Sequence, residues 1–87
     1  MSSPIIKPII NDQLRLLVAK TLGLAPDQVT AQMRRDATPA WDWLNHFLLV
    51  AAVECEFHVW LSMEEIVRLQ TPLELQRAIE SGRRLDS

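Results

Sequence analysis

Residues 41–57 read WDWLNHFLLVAAVECEF and predict a helix that starts at Asp42, continues to about Phe57 and has two apolar faces. Asp42 is suited to cap its first turn, because a carboxylate can accept hydrogen bonds from free backbone N–H groups. At about 100° per residue, one face collects ordinary core side chains: Phe47, Leu49, Val50, Val53 and Phe57. The opposite face collects a second apolar set: Leu44, Leu48, Ala51, Ala52 and Cys55. A helix in a small bundle needs one apolar face, so the second must be covered by the chain or serve as a binding surface.

A first helix and a long connection precede this segment. The helix is predicted over about 11–22, with Asn11 or Asp12 as its N-cap and Gly23 as its left-handed C-cap. The connection that follows, up to Trp41, is longer than the roughly 12 to 15 residues at which unstructured loops become uncommon. Apolar residues are spaced along it and favour an ordered path against the bundle: Leu24, Val29 and Met33.

Two more helices are predicted after residue 57. A short one spans about 63–69 and begins with the capping box S-x-x-E at residues 62–65. The last one begins with T-P-x-E at residues 71–74, where proline takes the first helical position, and Gly82 can end it. No stretch of the chain alternates as a β-strand does.

Composition restricts the class of protein. The chain has 87 residues, 48% apolar and 23% charged, with a net charge of −2, which fits one folded domain without a nucleic-acid footprint. We expect a flexible N-terminal segment over 1–10, the domain over 11–82 and a polar tail over 83–87. The longest uncharged apolar run, residues 47–53, is too short for a membrane span. The single cysteine, Cys55, allows no internal disulfide and indicates a reducing, cytoplasmic location.

Several motifs, taken in order, resemble those of the acyl carrier protein family. They are L-G-L at 22–24 with P-D-Q-V-T at 26–30, W-D-W-L-N-H at 41–46, E-x-E-F at 54–57, L-S-M-E-E-I at 61–66 and T-P-L-E-L at 71–75. The resemblance covers about Leu14 to Ile79. It implies an all-α, four-helix acyl-carrier-like bundle with three longer helices, one short third helix and a long loop between the first two.

The resemblance also identifies an altered position. In this family the serine of D-S-L carries 4′-phosphopantetheine, and the matching position here is Trp43, with Asp42 and Leu44 matching on either side. An indole has no hydroxyl to phosphorylate. Trp43 therefore marks the cofactor-binding position without being competent for attachment, and no cofactor is expected unless position 43 were serine.

The second helix of the family docks on partner enzymes through acidic side chains. Here Asn45, Leu48 and Cys55 occupy positions that are acidic in typical bacterial fatty-acid carriers. The predicted partner interface is accordingly more apolar: Asp42, Trp43, Leu44, Leu48, Ala51 and Cys55. The implied partner is an acyl-activating, acyltransferase or synthase-type enzyme, and self-association is a second use of the same face.

Other interpretations stay open at this point. The protein could be a genuine acyl carrier of fatty-acid, polyketide or related biosynthesis whose natural form has serine at position 43. The Trp43 ring could fold into the bundle, and the long loop could cover the second apolar face. His46 is expected to be a core-edge histidine with a hydrogen-bond partner. No nucleophile–base pair, carboxylate pair, phosphate loop or metal-ligand set is present, so we expect neither an enzyme nor a metal site.

Overall fold

The architecture is a bundle of four helices, as predicted. A computed structural model describes residues 10–84. The helices are α1 (Asp12–Leu22), α2 (Trp43–Phe57), α3 (Met63–Arg68) and α4 (Pro72–Ser81), and two residues before α3 and two after α4 form short strands, β1 (Val59–Trp60) and β2 (Arg83–Arg84). No helix within residues 10–84 is long and apolar enough to cross a membrane.

Local capping signals set the helix boundaries. The Asn11 side chain accepts hydrogen bonds from two backbone N–H groups of the first turn of α1, and Gly23 ends that helix in the left-handed conformation at φ 71°. Ser62 and Glu65 cap α3 reciprocally, at 3.1 and 2.8 Å. The Thr71 hydroxyl accepts from the backbone N–H of Glu74 at the start of α4. These predicted caps are confirmed.

The connection between α1 and α2 is ordered and packed against the bundle. It contains two short 3₁₀ turns, Pro26–Gln28 and Arg35–Ala37. Val29 is buried in the core, and the backbone N–H of Arg35 donates to the Gln70 carbonyl at 2.8 Å. A second backbone bond joins Leu73 to Ala31 at 3.0 Å. These bonds hold the connection beside the end of α3 and the start of α4.

The core is formed by apolar residues from every helix and from the connection. Its fully buried members include Leu14, Val18, Trp41, Leu49, Val53, Val59 and Leu75. Ile10 also belongs to it and is only 2% exposed, although the sequence assigned this residue to the flexible segment 1–10. The remainder of that predicted segment, 1–9, lies outside the described residues.

The short ladder between β1 and β2 was not predicted. Val59 pairs with Arg84 and Trp60 with Arg83 in antiparallel register. The first two residues of the predicted polar tail 83–87 are thus part of the fold, and 85–87 lie outside the described residues. Gly82 permits this turn by its size, since a Cβ there would lie 2.8 Å from the Ala78 carbonyl oxygen and 3.4 Å from the Val59 Cβ.

Candidate functional site

Trp43 is the first residue of α2. Asp42 precedes it as the N-cap, and its carboxylate accepts from the backbone N–H of Asn45 at 2.8 Å, as predicted. The Asn45 side chain donates in turn to the Ala40 carbonyl at 2.8 Å. These two bonds fix the entry into the helix. The Trp43 side chain stands at the surface and is 50% exposed, so it does not fold into the bundle.

Three side chains hold the indole of Trp43. The guanidinium carbon of Arg35 lies 4.1 Å from the ring centroid, within the range of a cation–π contact. The Phe47 ring is stacked at 5.9 Å and 29°, and the His46 ring meets the indole edge-on at 5.5 Å and 84°. The indole is therefore exposed to solvent on one side while the protein restrains it on the other.

Arg35 is itself fixed by backbone carbonyls near the end of α3. Its Nε donates to the Leu69 carbonyl at 3.0 Å and its Nη2 to the Val67 carbonyl at 3.4 Å. The neighbouring Arg34 instead forms an exposed ion pair with Asp36 at 3.0 Å. Because Arg34 and Arg35 are adjacent and identical, the sequence offers no signal that separates their two roles.

His46 lies directly beneath Trp43 and is only 1% exposed. Its Nδ1 accepts from the Trp41 indole N–H at 3.0 Å, so its proton lies on Nε2, which donates to the Ile66 carbonyl at 2.7 Å. Burial lowers the pKa of His46 below its usual 6.5; the bond to Ile66 opposes this, and the positive charge of Arg35 adds to the lowering. The predicted hydrogen-bonded core-edge histidine is confirmed, and the ring stays neutral near pH 7.

Within residues 10–84, the second apolar face of α2 is open. We call Leu44, Leu48, Ala51 and Cys55 the outer face of α2; all four are exposed, Leu44 by 70% and Leu48 by 51%. Ala52, which the sequence placed with them, is half-buried. The connection after α1 packs elsewhere, so the interpretation in which it covers this face is wrong. All six predicted interface residues, Asp42 and Trp43 included, are therefore exposed.

Phe47 departs from its predicted place in the core. It is 40% exposed and stacks on Trp43 at the edge of the outer face, whereas His46 is buried. Phe57 is partly buried at the other end of the helix, while Leu49, Val50 and Val53 are buried as predicted. An aromatic ring near the boundary between two apolar faces can be assigned to either from its position on the helix alone.

Two carboxylates lie in the last turns of α2. Glu54 accepts from the backbone N–H of Leu61 at 3.0 Å, and Glu56 accepts from the Gln13 side-chain amide at 2.7 Å. Each carboxylate has a second oxygen outside that bond. The helix contains no lysine or arginine, so its C-terminal half is acidic.

A cavity between the helices lies away from Trp43. It has a volume of about 460 Å³ and is bounded by the start of α1, the end of α2 and α4, with Ile10, Phe57 and Glu80 among its walls. None of the predicted interface residues lines it. Among residues 10–84, no three histidine, cysteine or acidic side chains are grouped so as to hold a metal ion.

No family model matches this chain. No curated protein matches it significantly in sequence.

Proposed function

We propose that this chain is an acyl carrier protein homologue that has lost the phosphopantetheine-attachment serine. In this role it is a protein-interaction module for an acyl-activating, acyltransferase or synthase-type enzyme, in the cytoplasm. One observation carries the proposal: Trp43 stands half-exposed at the first position of α2, directly after the cap Asp42, where the resemblance expects the modified serine.

The surroundings of Trp43 support a role as a binding anchor. Tryptophan is enriched among the residues that contribute most to protein interfaces. Arg35, His46 and Phe47 already restrain the indole, so docking would immobilise it at a smaller entropic cost than a freely rotating side chain. Leu44 and Leu48 extend the apolar surface beside it.

Mass spectrometry tests the loss of the attachment site. The protein, co-expressed with a promiscuous phosphopantetheinyl transferase, should keep its unmodified mass because position 43 has no hydroxyl. The Trp43→Ser variant should gain the mass of phosphopantetheine, whereas Leu48→Ser, with a hydroxyl on the same exposed helix, should not. Modification of the unaltered protein would contradict the proposal, and an unmodified Trp43→Ser variant would count against the carrier relationship.

A competition assay tests the docking role. The protein should inhibit transfer by a carrier-dependent acyl-activating enzyme to an intact carrier, because both would occupy the same docking site. Trp43→Ala should weaken this inhibition about tenfold or more, as expected for an interface anchor. Trp60→Ala is the matched control, since Trp60 is similarly exposed at 46% but lies on β1. Equal inhibition by all three proteins would remove Trp43 from the interface.

A genuine carrier with serine at position 43 is the second candidate. The observation that favours it is local: position 43 is exposed, and Asp42 and Leu44 flank it as in a functional attachment motif. A serine there would present its hydroxyl to a transferase. Sequencing the gene from its source decides whether tryptophan is natural, and acyl loading of the modified Trp43→Ser variant tests whether the remaining surface still supports carrier function.

A further inference from the structure

The outer face of α2 has the spacing of a helix-pairing seam. Leu44, Leu48, Ala51 and Cys55 follow one another at intervals of four, three and four residues, which is the repeat by which two helices interlock side chains. All four are exposed, and the opposite side of α2 is buried in the core. The seam therefore points away from the protein and is available to another helix.

The sizes of the seam residues differ between its two halves. The two leucines lie in the N-terminal half, and alanine and cysteine lie in the C-terminal half. In an antiparallel pair of α2 helices related by a two-fold axis between residues 48 and 51, Leu44 faces Cys55 of the second copy and Leu48 faces Ala51. Each large side chain then meets a small one, which fills space evenly. A parallel pair would place leucine on leucine and leave a gap at the alanines.

The charges follow the same antiparallel order. The carboxylates Glu54 and Glu56 lie in the C-terminal half, and the guanidinium of Arg35 lies over Trp43 at the N-terminal end. An antiparallel pair places the acidic end of each helix against the end that carries Arg35 and the positive helix terminus. A parallel pair would set the carboxylates of both copies side by side, which is repulsive.

We infer that the outer face of α2 pairs with a second copy of this chain as a two-fold antiparallel helix dimer. The inference uses only this face and does not depend on the carrier relationship. One exposed helix face buries an area at the low end of protein interfaces, below about 1,200 Å² in total, so the dimer is weak and exchanges with the monomer. An enzyme that docks on α2 would then have to displace the second copy.

Sedimentation velocity over a wide range of protein concentration tests the pairing. The unaltered protein should shift from monomer towards dimer as its concentration rises, and Leu48→Glu should stay monomeric because it would bury a carboxylate at the centre of the seam. The matched control is Leu16→Glu, since Leu16 is 56% exposed but lies on α1. This control should dimerise like the unaltered protein. A protein that stays monomeric at all concentrations would overturn the inference, even if it still bound an acyl-activating enzyme.

Oxidation with diamide tests the register. In the proposed dimer the two Cys55 residues are about 16 Å apart along the helix, so the unaltered protein should not cross-link. The Leu44→Cys variant should form a disulfide between position 44 and Cys55 of the second copy, identified by peptide mass spectrometry. The control variant Leu16→Cys should form no disulfide between position 16 and Cys55 of the second copy. Efficient Cys55–Cys55 linkage in the unaltered protein, or equal linkage in both variants, would overturn the antiparallel arrangement.

Discussion

The indole N–H of Trp41 donates to Nδ1 of His46 across 3.0 Å, and both side chains are only 1% exposed. Because Nδ1 accepts this bond, the imidazole proton must lie on Nε2, where it is donated to the Ile66 carbonyl at 2.7 Å. One neutral imidazole thus joins the end of the connection, α2 and α3. The Trp43 indole contacts the same imidazole edge-on, so the exposed indole and the buried hydrogen bonds both depend on His46.

Acid should destabilise the protein through His46. Burial lowers the pKa of this group below 6.5 in the folded state, so the unfolded chain binds its proton at a higher pH than the folded chain does. Stability from this group is complete above about pH 7 and is lost as the pH falls through 6.5 towards the folded pKa, with a slope of up to about 1.4 kcal/mol per pH unit. Urea denaturation at a series of pH values measures it.

The control for this prediction removes the titrating group. His46→Gln should lower stability at pH 7 and flatten the pH dependence between about 7 and 5, where few carboxylates titrate. The comparison variant His58→Gln replaces the other histidine, which is exposed at the end of α2, and a loss of the slope in this variant alone would contradict the role of His46. An unchanged slope in His46→Gln would mean that another group causes the acid sensitivity.

Features specified by neighbouring residues could be predicted from the sequence. The N-caps Asn11, Asp42, Ser62 and Thr71 each act within their own first turn, and all four helices begin where these residues indicated. The same local pattern left the orientation of the Trp43 ring open, and only the structure shows that the ring is half-exposed.

Features that depend on distant residues could not be predicted. The contact of Arg35 with Trp43 requires the connection to return beside α3, and no local pattern encodes that path. The pairing of Val59 with Arg84 is made by backbone groups, so it leaves no side-chain alternation to detect. His46 is buried, and Phe47 beside it is exposed. The burial of His46 depends on its hydrogen-bond partners Trp41 and Ile66, which only the fold brings together.

Truncating two neighbouring tryptophans should have unequal effects on stability. Trp41 is buried and bonded to His46, so Trp41→Ala should cost about 3 to 5 kcal/mol. Trp43 is half-exposed and contributes ring and cation–π contacts, so Trp43→Ala should cost only about 1 kcal/mol. Chemical denaturation of both variants measures the difference. Comparable losses would mean that Trp43 belongs to the core rather than to a surface available for binding.

Substitutions at two adjacent leucines of α2 should change the stability of the protein by very different amounts. Leu48 is 51% exposed, so Leu48→Glu should change stability by no more than about 0.5 kcal/mol. Leu49 is fully buried, and even the milder Leu49→Ala should cost about 2 to 5 kcal/mol. Thermal melts at low protein concentration, where self-association does not contribute, measure both. A large fall in the melting temperature of Leu48→Glu would show that the outer face of α2 is covered.

Two residues in the left-handed conformation end α1 and α2, and substituting each of them measures the cost of backbone strain. Gly23 has φ 71° and His58 has φ 55°, and a Cβ at Gly23 would have no neighbour within 4 Å. Gly23→Ala should therefore destabilise the protein by about 1 kcal/mol through backbone conformation alone, because an L side chain disfavours this region.

His58→Gly removes the same strain but gives the unfolded chain more conformational freedom, which leaves a net gain in stability of a few tenths to about 1 kcal/mol. For a domain of this size, 1 kcal/mol corresponds to about 4 to 8 °C in Tm, which a thermal melt resolves. Opposite signs in the two variants are the expected result, and a loss of stability in His58→Gly would show that the histidine side chain contributes more than its strained backbone costs.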